Sequence, residues 1–337
     1  MNRSRLVHHS RTRIARGALV LAALAAVGGC GSGAASGHRA AVSTGPTSST
    51  QAIGGAGPTA KLGTGSTSHT IEESGTTRTY RTYVPSGLEA IRAVPLVVML
   101  HGGFGSSEQA ESAHGWDAKA DAEGFVVAYP NGDGKAWNAG TCCGAPARNG
   151  VDDVGFVTDV VHAVQGQVSI DPRRIFVTGM SNGAMMAERL ACETNLFAAA
   201  ASVAGAQMVR CDGAHPISML HIYGSADDHV PPDGSSGKGI GKVPTHPPVA
   251  TSIAQWRSRD DCEPPKMTVQ GAVTTSTASC AAGRAVTLVA VAGAGHQWPG
   301  AHVSKPRIRK LLGMDPPSTA LDATATIWSF FAAHPAP

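Results

Sequence analysis

The chain reads as short apolar runs separated by amphipathic stretches. From Thr70 to Val84, Thr, Tyr, Arg and Val mix in rough alternation, the pattern of antiparallel strands at a sheet edge. Val94–Leu100 is a continuous apolar run, as a strand buried on both faces requires. Similar runs recur at Phe125–Tyr129, Ile175–Thr178, Ala198–Val203, Met219–Tyr223 and Val286–Val291. Between and after them lie stretches with helical spacing at Asp153–Val168, Asn182–Thr194, Val249–Arg259 and Leu321–His334. The alternation predicts an α/β fold, a mainly parallel central sheet with helices on both faces. In such sheets, functional groups gather at the carboxyl ends of the strands.

The beginning of the chain follows a different pattern. Arg3, Arg5, Arg11, Arg13 and Arg16 precede an apolar run, Gly17–Val27, which is too short to span a bilayer comfortably. The run ends in Val27-Gly28-Gly29-Cys30, which resembles a bacterial lipoprotein box. Residues 1–29 are therefore expected to be a lipoprotein signal peptide, with Cys30 lipidated as the new N-terminus on the outer face of the membrane. An ordinary signal peptide with an incidental Cys is the alternative. Residues 30–68 are rich in Gly, Ser, Ala and Thr and carry too little apolar surface to offset the entropy of ordering. They are expected to form a disordered tether, and 69–337 a single folded domain acting as a monomer.

Charge and cysteine content narrow the picture. The chain has 27 basic and 24 acidic residues. Without the five N-terminal arginines, 22 basic residues face 24 acidic ones, a net charge of −2 that speaks against a nucleic-acid partner. Besides Cys30 there are six cysteines, and an even number in an exported chain favours disulfides. Cys192–Cys211 and Cys262–Cys280 would each close a local loop, leaving Cys142 and Cys143 to each other or to more distant partners. There is no Cys-x-x-Cys pair, and no metal is expected.

The chemistry is concentrated in three places. Gly179-Met180-Ser181-Asn182-Gly183 follows an apolar β-branched run and precedes a helical stretch, the setting a nucleophile elbow needs. A Ser hydroxyl requires a base, and in α/β-hydrolases the partners follow in the order Ser, acid, His. Asp227 and Asp228 lie just after the run Met219–Tyr223, and the Gly-x-x-Asp-x-x-Val-Pro frame selects Asp227. His229 reads as a loop residue. Among 14 histidines, His296 stands out by its place in a Gly-rich loop after the last strong strand run. An oxyanion hole would take backbone N–H groups from Asn182 and from Leu100-His101-Gly102-Gly103-Phe104-Gly105, with Gly103 the expected donor and Phe104 in reserve. His101 is expected to hold that loop. Trp137 and Trp298 could stack on a sugar or aromatic acyl group, or simply fill the core. Asp152 and Asp153 are expected to cap the helix that follows them.

With these pieces placed, the sequence from about His69 onward resembles the secreted polyhydroxybutyrate depolymerase and feruloyl esterase family, including its actinobacterial lipoprotein members. The resemblance rests on Leu-His-Gly-Gly at 100–103, Trp137-Asn-Ala-Gly-Thr-Cys-Cys-Gly144, Val151-Asp-Asp-Val-Gly-Phe156 and Gly179-Met-Ser-Asn-Gly183. It continues through Gly224-Ser-Ala-Asp-Asp-His-Val-Pro231 and Gly295-His-Gln-Trp-Pro-Gly300. Family members often carry an aromatic or small residue where this chain has Gln297. The resemblance implies an α/β-hydrolase fold, ester hydrolysis without a cofactor, and the triad Ser181–Asp227–His296. A cell-envelope acyltransferase of the same fold and a non-catalytic envelope-binding lipoprotein are the alternatives.

Overall fold

The computed structural model describes residues 62–73, 75–88, 92–239, 241–302 and 315–337. The expected signal peptide, Cys30 and most of the tether lie outside them. The first strand begins at Gly65, ahead of the expected boundary at His69, and Leu62 already packs into the core.

Among the described residues, ten strands form one sheet: β1 (Gly65–Glu73), β2 (Thr76–Val84), β3 (Val94–Leu100), β4 (Val126–Pro130), β5 (Ile170–Met180), β6 (Ala199–Val203), β7 (Ser218–Gly224), β8 (Lys266–Gln270), β9 (Val273–Ser279) and β10 (Ala285–Val291). Their spatial order is β1-β2-β4-β3-β5-β6-β7-β10-β9-β8. The central strands from β4 to β10 pair in parallel. An antiparallel hairpin closes each edge, β1–β2 on one side and β9–β8 on the other.

The apolar runs become buried strands because both sheet faces are covered. Along β3, Leu96, Val98 and Leu100 face one core while Val97 and Met99 face the other, as a period of two demands. The first core lies under α4 (Asp153–Gln165), α5 (Asn182–Glu193) and α6 (Val249–Arg259). The second lies under α1 (Ser107–His114), α2 (Trp116–Glu123) and α7 (Ala323–Ala333). There, α7 stacks Trp328 on Phe125 and Phe331 on Phe176, with ring centroids 4.1 and 4.7 Å apart. A short helix, α3 (Gly144–Asn149), stands in the segment between β4 and α4.

Candidate active site

Ser181 sits where β5 turns into α5. Its backbone lies at φ 54°, ψ −121°, a region costly for any residue with a Cβ, on the order of 1–3 kcal/mol. The neighbouring strand and the helix that follows hold it there. The Ser181 N–H donates to Val203 O on β6 at 2.9 Å, and its carbonyl accepts from Met185 N–H at 3.0 Å. The flanking glycines let the turn close: a Cβ on Gly179 would strike the Gly183 carbonyl, and one on Gly183 would strike the carbonyls of Leu100 and His101.

Two later loops bring the other groups to this point. His296, after β10, places Nε2 2.8 Å from Ser181 Oγ and Nδ1 2.7 Å from Asp227 Oδ2. Asp227 is buried, and its other oxygen accepts the N–H groups of His229 at 2.9 Å and Val230 at 2.8 Å. One carboxylate oxygen is thus fixed by backbone while the other faces the imidazole. Asp228 turns outward to His229 Nδ1 at 3.2 Å and Lys238 Nζ at 3.8 Å. The two loops are joined where Ala226 N–H donates to Ala294 O at 2.9 Å, and Asp315 accepts the His296 N–H at 2.8 Å. His229 remains a loop residue, yet its ring stacks on His296 at 5.2 Å and 20°, a contact no local motif announced.

The loop after β3 closes on the same place. His101 is buried, and burial lowers its pKa, which keeps the ring neutral. A neutral ring suits its two bonds: Nδ1 lies 2.8 Å from Gly102 O, and Nε2 accepts from Gly132 N–H at 3.0 Å. A Cβ on Gly102 would stand 3.6 Å from Ser181 Cβ, and one on Gly103 would stand 4.0 Å from Asn182 Cβ. The Phe104 N–H is spent on Lys135 O at 2.8 Å and that of Gly105 on Gly102 O at 3.0 Å. Among the described residues, the N–H groups of Gly103 and Asn182 meet no protein acceptor. One belongs to the residue directly after Ser181 and the other to a residue packed against Asn182, whereas Phe104 is removed as a reserve donor.

The Asn182 side chain makes a paired contact with the segment between β4 and α4. It accepts from Trp137 N–H at 2.7 Å and donates to Trp137 O at 3.0 Å. Trp137 itself is fully buried, with its indole N–H on His101 O at 2.9 Å. Trp298 is buried too, bonded to Thr324 Oγ1 at 3.1 Å. Neither ring offers a face to a ligand, so the expected stacking role is corrected for both. Their size and single N–H donor were better satisfied by the core. Asp152 caps α4 through Gly155 N–H at 2.9 Å. Asp153 does not cap it, which corrects that expectation. It is fully buried, bonded to Arg78 at 2.7 Å and to Asn138 N–H at 2.7 Å.

Among the described residues, three disulfides are present, Cys192–Cys211, Cys262–Cys280 and the adjacent pair Cys142–Cys143, and they fit an extracellular protein. Among the described residues, one group could hold a metal: Asp228, His229 and Asp315 bring polar atoms within 4.8 Å of one another. Their carboxylates already serve His229, Lys238 and the His296 N–H.

A mainly parallel sheet carrying a Ser at a strand-to-helix elbow, with His and Asp on successive later loops, defines the α/β-hydrolase class. A family model described as Esterase PHB depolymerase matches residues 78–231, which include Ser181 and Asp227. NocK of Nocardia uniformis subsp. tsuyamanensis, named as an esterase, is 36% identical over 259 residues, covering 69% of this chain and 74% of that protein. Feruloyl esterase B of Piromyces equi is 28% identical over 225 residues, 63% of this chain but 41% of that longer protein. Among solved structures, an acetyl xylan esterase from Aspergillus awamori shares the fold, with TM-score 0.54 and 18% identity over 79% of this chain and 99% of that one. The chain belongs to the Esterase PHB depolymerase family and is a carboxylic ester hydrolase.

Proposed function

We propose that the chain is an exported serine esterase working through Ser181, His296 and Asp227. The observation that carries this reading is the unbroken hydrogen-bond line from Ser181 Oγ through His296 to Asp227, at 2.8 and 2.7 Å. His296 Nε2 takes the Ser181 proton as Oγ attacks the ester carbonyl, and the imidazolium passes that proton to the leaving alcohol. Asp227 holds Nδ1–H, fixing the tautomer and offsetting the positive charge on the ring. The N–H groups of Gly103 and Asn182 receive the oxyanion, and water then releases the acid by the same steps in reverse. No cofactor enters the scheme.

The substrates proposed are soluble feruloyl, hydroxybutyrate-oligomer or acetyl-sugar esters, since relatives in sequence are named for feruloyl, acetylxylan and poly(3-hydroxyalkanoate) substrates and one fold can serve many substrates. Export through residues 1–29, lipidation of Cys30, a tether over 30–68 and a monomeric catalytic domain complete the proposal. The basic, apolar and small-residue pattern ahead of Cys30 supports export. Turnover of p-nitrophenyl acetate tests the reading. Ser181→Ala is expected to lower kcat by at least about a thousandfold with the fold intact. Wild-type turnover in that variant would overturn it.

A further inference from the structure

Phe104 occupies a position that packing does not explain. The residue is 70% exposed. The other large exposed apolar side chains among the described residues, Met267 and Val269, are on β8 at the far edge of the sheet. Its backbone is left-handed, φ 64°, a conformation disfavoured for a residue with a Cβ. Both features run against stability, yet the residue is held firmly. Its N–H is bonded to Lys135 O at 2.8 Å, and Gly102 and Gly105 close a tight turn around it at 3.0 Å.

What the ring does gain is location. It follows Gly103 directly, about 3.8 Å along the chain from Cα to Cα, and Gly103 lies beside Asn182. The ring edge lies against Gly241, where a Cβ would come within 2.9 Å of Cε2 and 3.3 Å of Cζ. Gly239, two positions earlier, lies beside the His229 ring, which stacks on His296. His229, Asp228 and Lys238 thus form a polar cluster against His296, while the Phe104 side chain, on the loop after β3, stays open to solvent. Strain and exposure combined beside a reactive group are the marks of a residue kept for contact with a ligand.

We propose that Phe104 is the specificity-determining contact for an apolar aryl or alkyl group flanking the scissile ester, favouring such esters over small ones. This rests on the serine-esterase reading, in which Gly103 N–H holds the carbonyl oxygen and so brings the adjoining carbons beside the ring. Two substrate series test it on the purified enzyme. One varies the acyl group at fixed leaving group, with p-nitrophenyl hexanoate and benzoate against acetate. The other varies the alcohol at fixed acyl group, with benzyl against ethyl acetate.

Phe104→Ala is expected to lower the kcat/KM ratio of bulky apolar to small substrate about tenfold, mainly through KM, in whichever series places its group at the ring. Phe104→Tyr is expected to keep the ratio. Phe104→Gly is expected to lose the ratio while holding or raising the melting temperature, because the left-handed penalty disappears. Equal losses on large and small esters in both series, or no loss at all, would overturn the proposal. Should the wild-type enzyme hydrolyse none of the esters and Ser181 escape fluorophosphonate labelling, the serine-esterase reading fails and Phe104's role with it. Wild-type turnover with an unchanged ratio sinks the Phe104 proposal alone.

Discussion

The sheet ends in an antiparallel hairpin at each edge, and the two hairpins are secured differently. In β1–β2, Arg78 is buried, bonds Asp153 at 2.7 Å and Glu73 at 3.3 Å, and lies 3.9 Å above the Phe156 ring. Arg81, also on β2, reaches Glu111 of α1 at 2.5 Å. In β8–β9, every residue of β8 is exposed, including Met267 and Val269. That hairpin is secured by its ladder to β10, by Arg257 to Ser276 O at 2.8 Å and by the Cys262–Cys280 bond at its base. The difference lies in what each edge supports. Asp153 also holds Asn138 N–H, next to the Trp137 that pairs with Asn182. The first edge therefore braces the site through buried side chains, whereas the second reaches the loop carrying His296 through a backbone bond from Ala292 N–H to Ala272 O, 2.8 Å, in the turn between β8 and β9.

Asp153→Ala is the strongest way to break this contrast. It takes the nearer of two carboxylates from a buried guanidinium, leaving Arg78 with Glu73 at 3.3 Å and Asn131 O at 3.2 Å, and frees the Asn138 N–H, with an expected loss of about 3–5 kcal/mol in urea unfolding. A loss near zero would show that the first edge is as loosely held as the second. The pKa of Asp153 is raised by burial despite the opposing pull of the Asn138 N–H and Arg78, so the pair is costly to assemble and costlier to leave half-made.

Acid should act on the same side of the molecule. His114 closes α1, is fully buried and has its pKa lowered by burial to about 4. The unfolded chain, with an imidazole near its ordinary value, takes up a proton between about pH 6.5 and 4 that the folded chain refuses. The stability this group contributes is therefore complete above about pH 6.5 and is lost as pH falls toward 4, about 3 kcal/mol in all. His114→Phe is expected to remove that contribution from the stability–pH curve, leaving the same-sign slope from His101 and the opposite-sign slope from Asp117, whose carboxyl burial pushes up to about 6. An unchanged slope would remove His114 from the account. The smallest effect belongs to the other edge: Met267→Thr and Val269→Thr should each shift stability by less than about 0.5 kcal/mol in the same assay. A shift above about 1 kcal/mol would mean that β8 packs against something in solution.

Much of this was legible in the sequence, and the limits have physical causes. The parallel strands were readable because strands buried on both faces must be continuously apolar. Ser181, Asp227 and His296 were readable because an elbow needs its glycines and the chain order of the partners is fixed by the fold. β8 and β9 were missed: a Thr- and Ser-rich ribbon open to solvent carries no burial pattern. The helices α1 and α2 were missed because they are short and rich in Ala and charged residues, with little apolar periodicity. The Arg78–Asp153 pair joins positions 75 apart, a contact no local spacing encodes. Trp137 and Trp298 were ambiguous by nature, since an indole serves equally as core filler or ligand platform until its exposure is known.

The paired contact between Asn182 and Trp137 has a consequence for how such an enzyme can diversify. The same residue opens α5, offers the N–H beside the Ser181 hydroxyl and is wired by two hydrogen bonds to the segment between β4 and α4. Under the proposed mechanism that segment cannot drift freely in sequence, as surface loops ordinarily do, because its backbone sets the aim of the Asn182 N–H proposed to meet the reacting carbonyl. On the same proposals, new substrate preferences are more cheaply acquired at Phe104 and around Gly239 and Gly241, which make no bond to Asn182, than in the longer segment that holds its side chain.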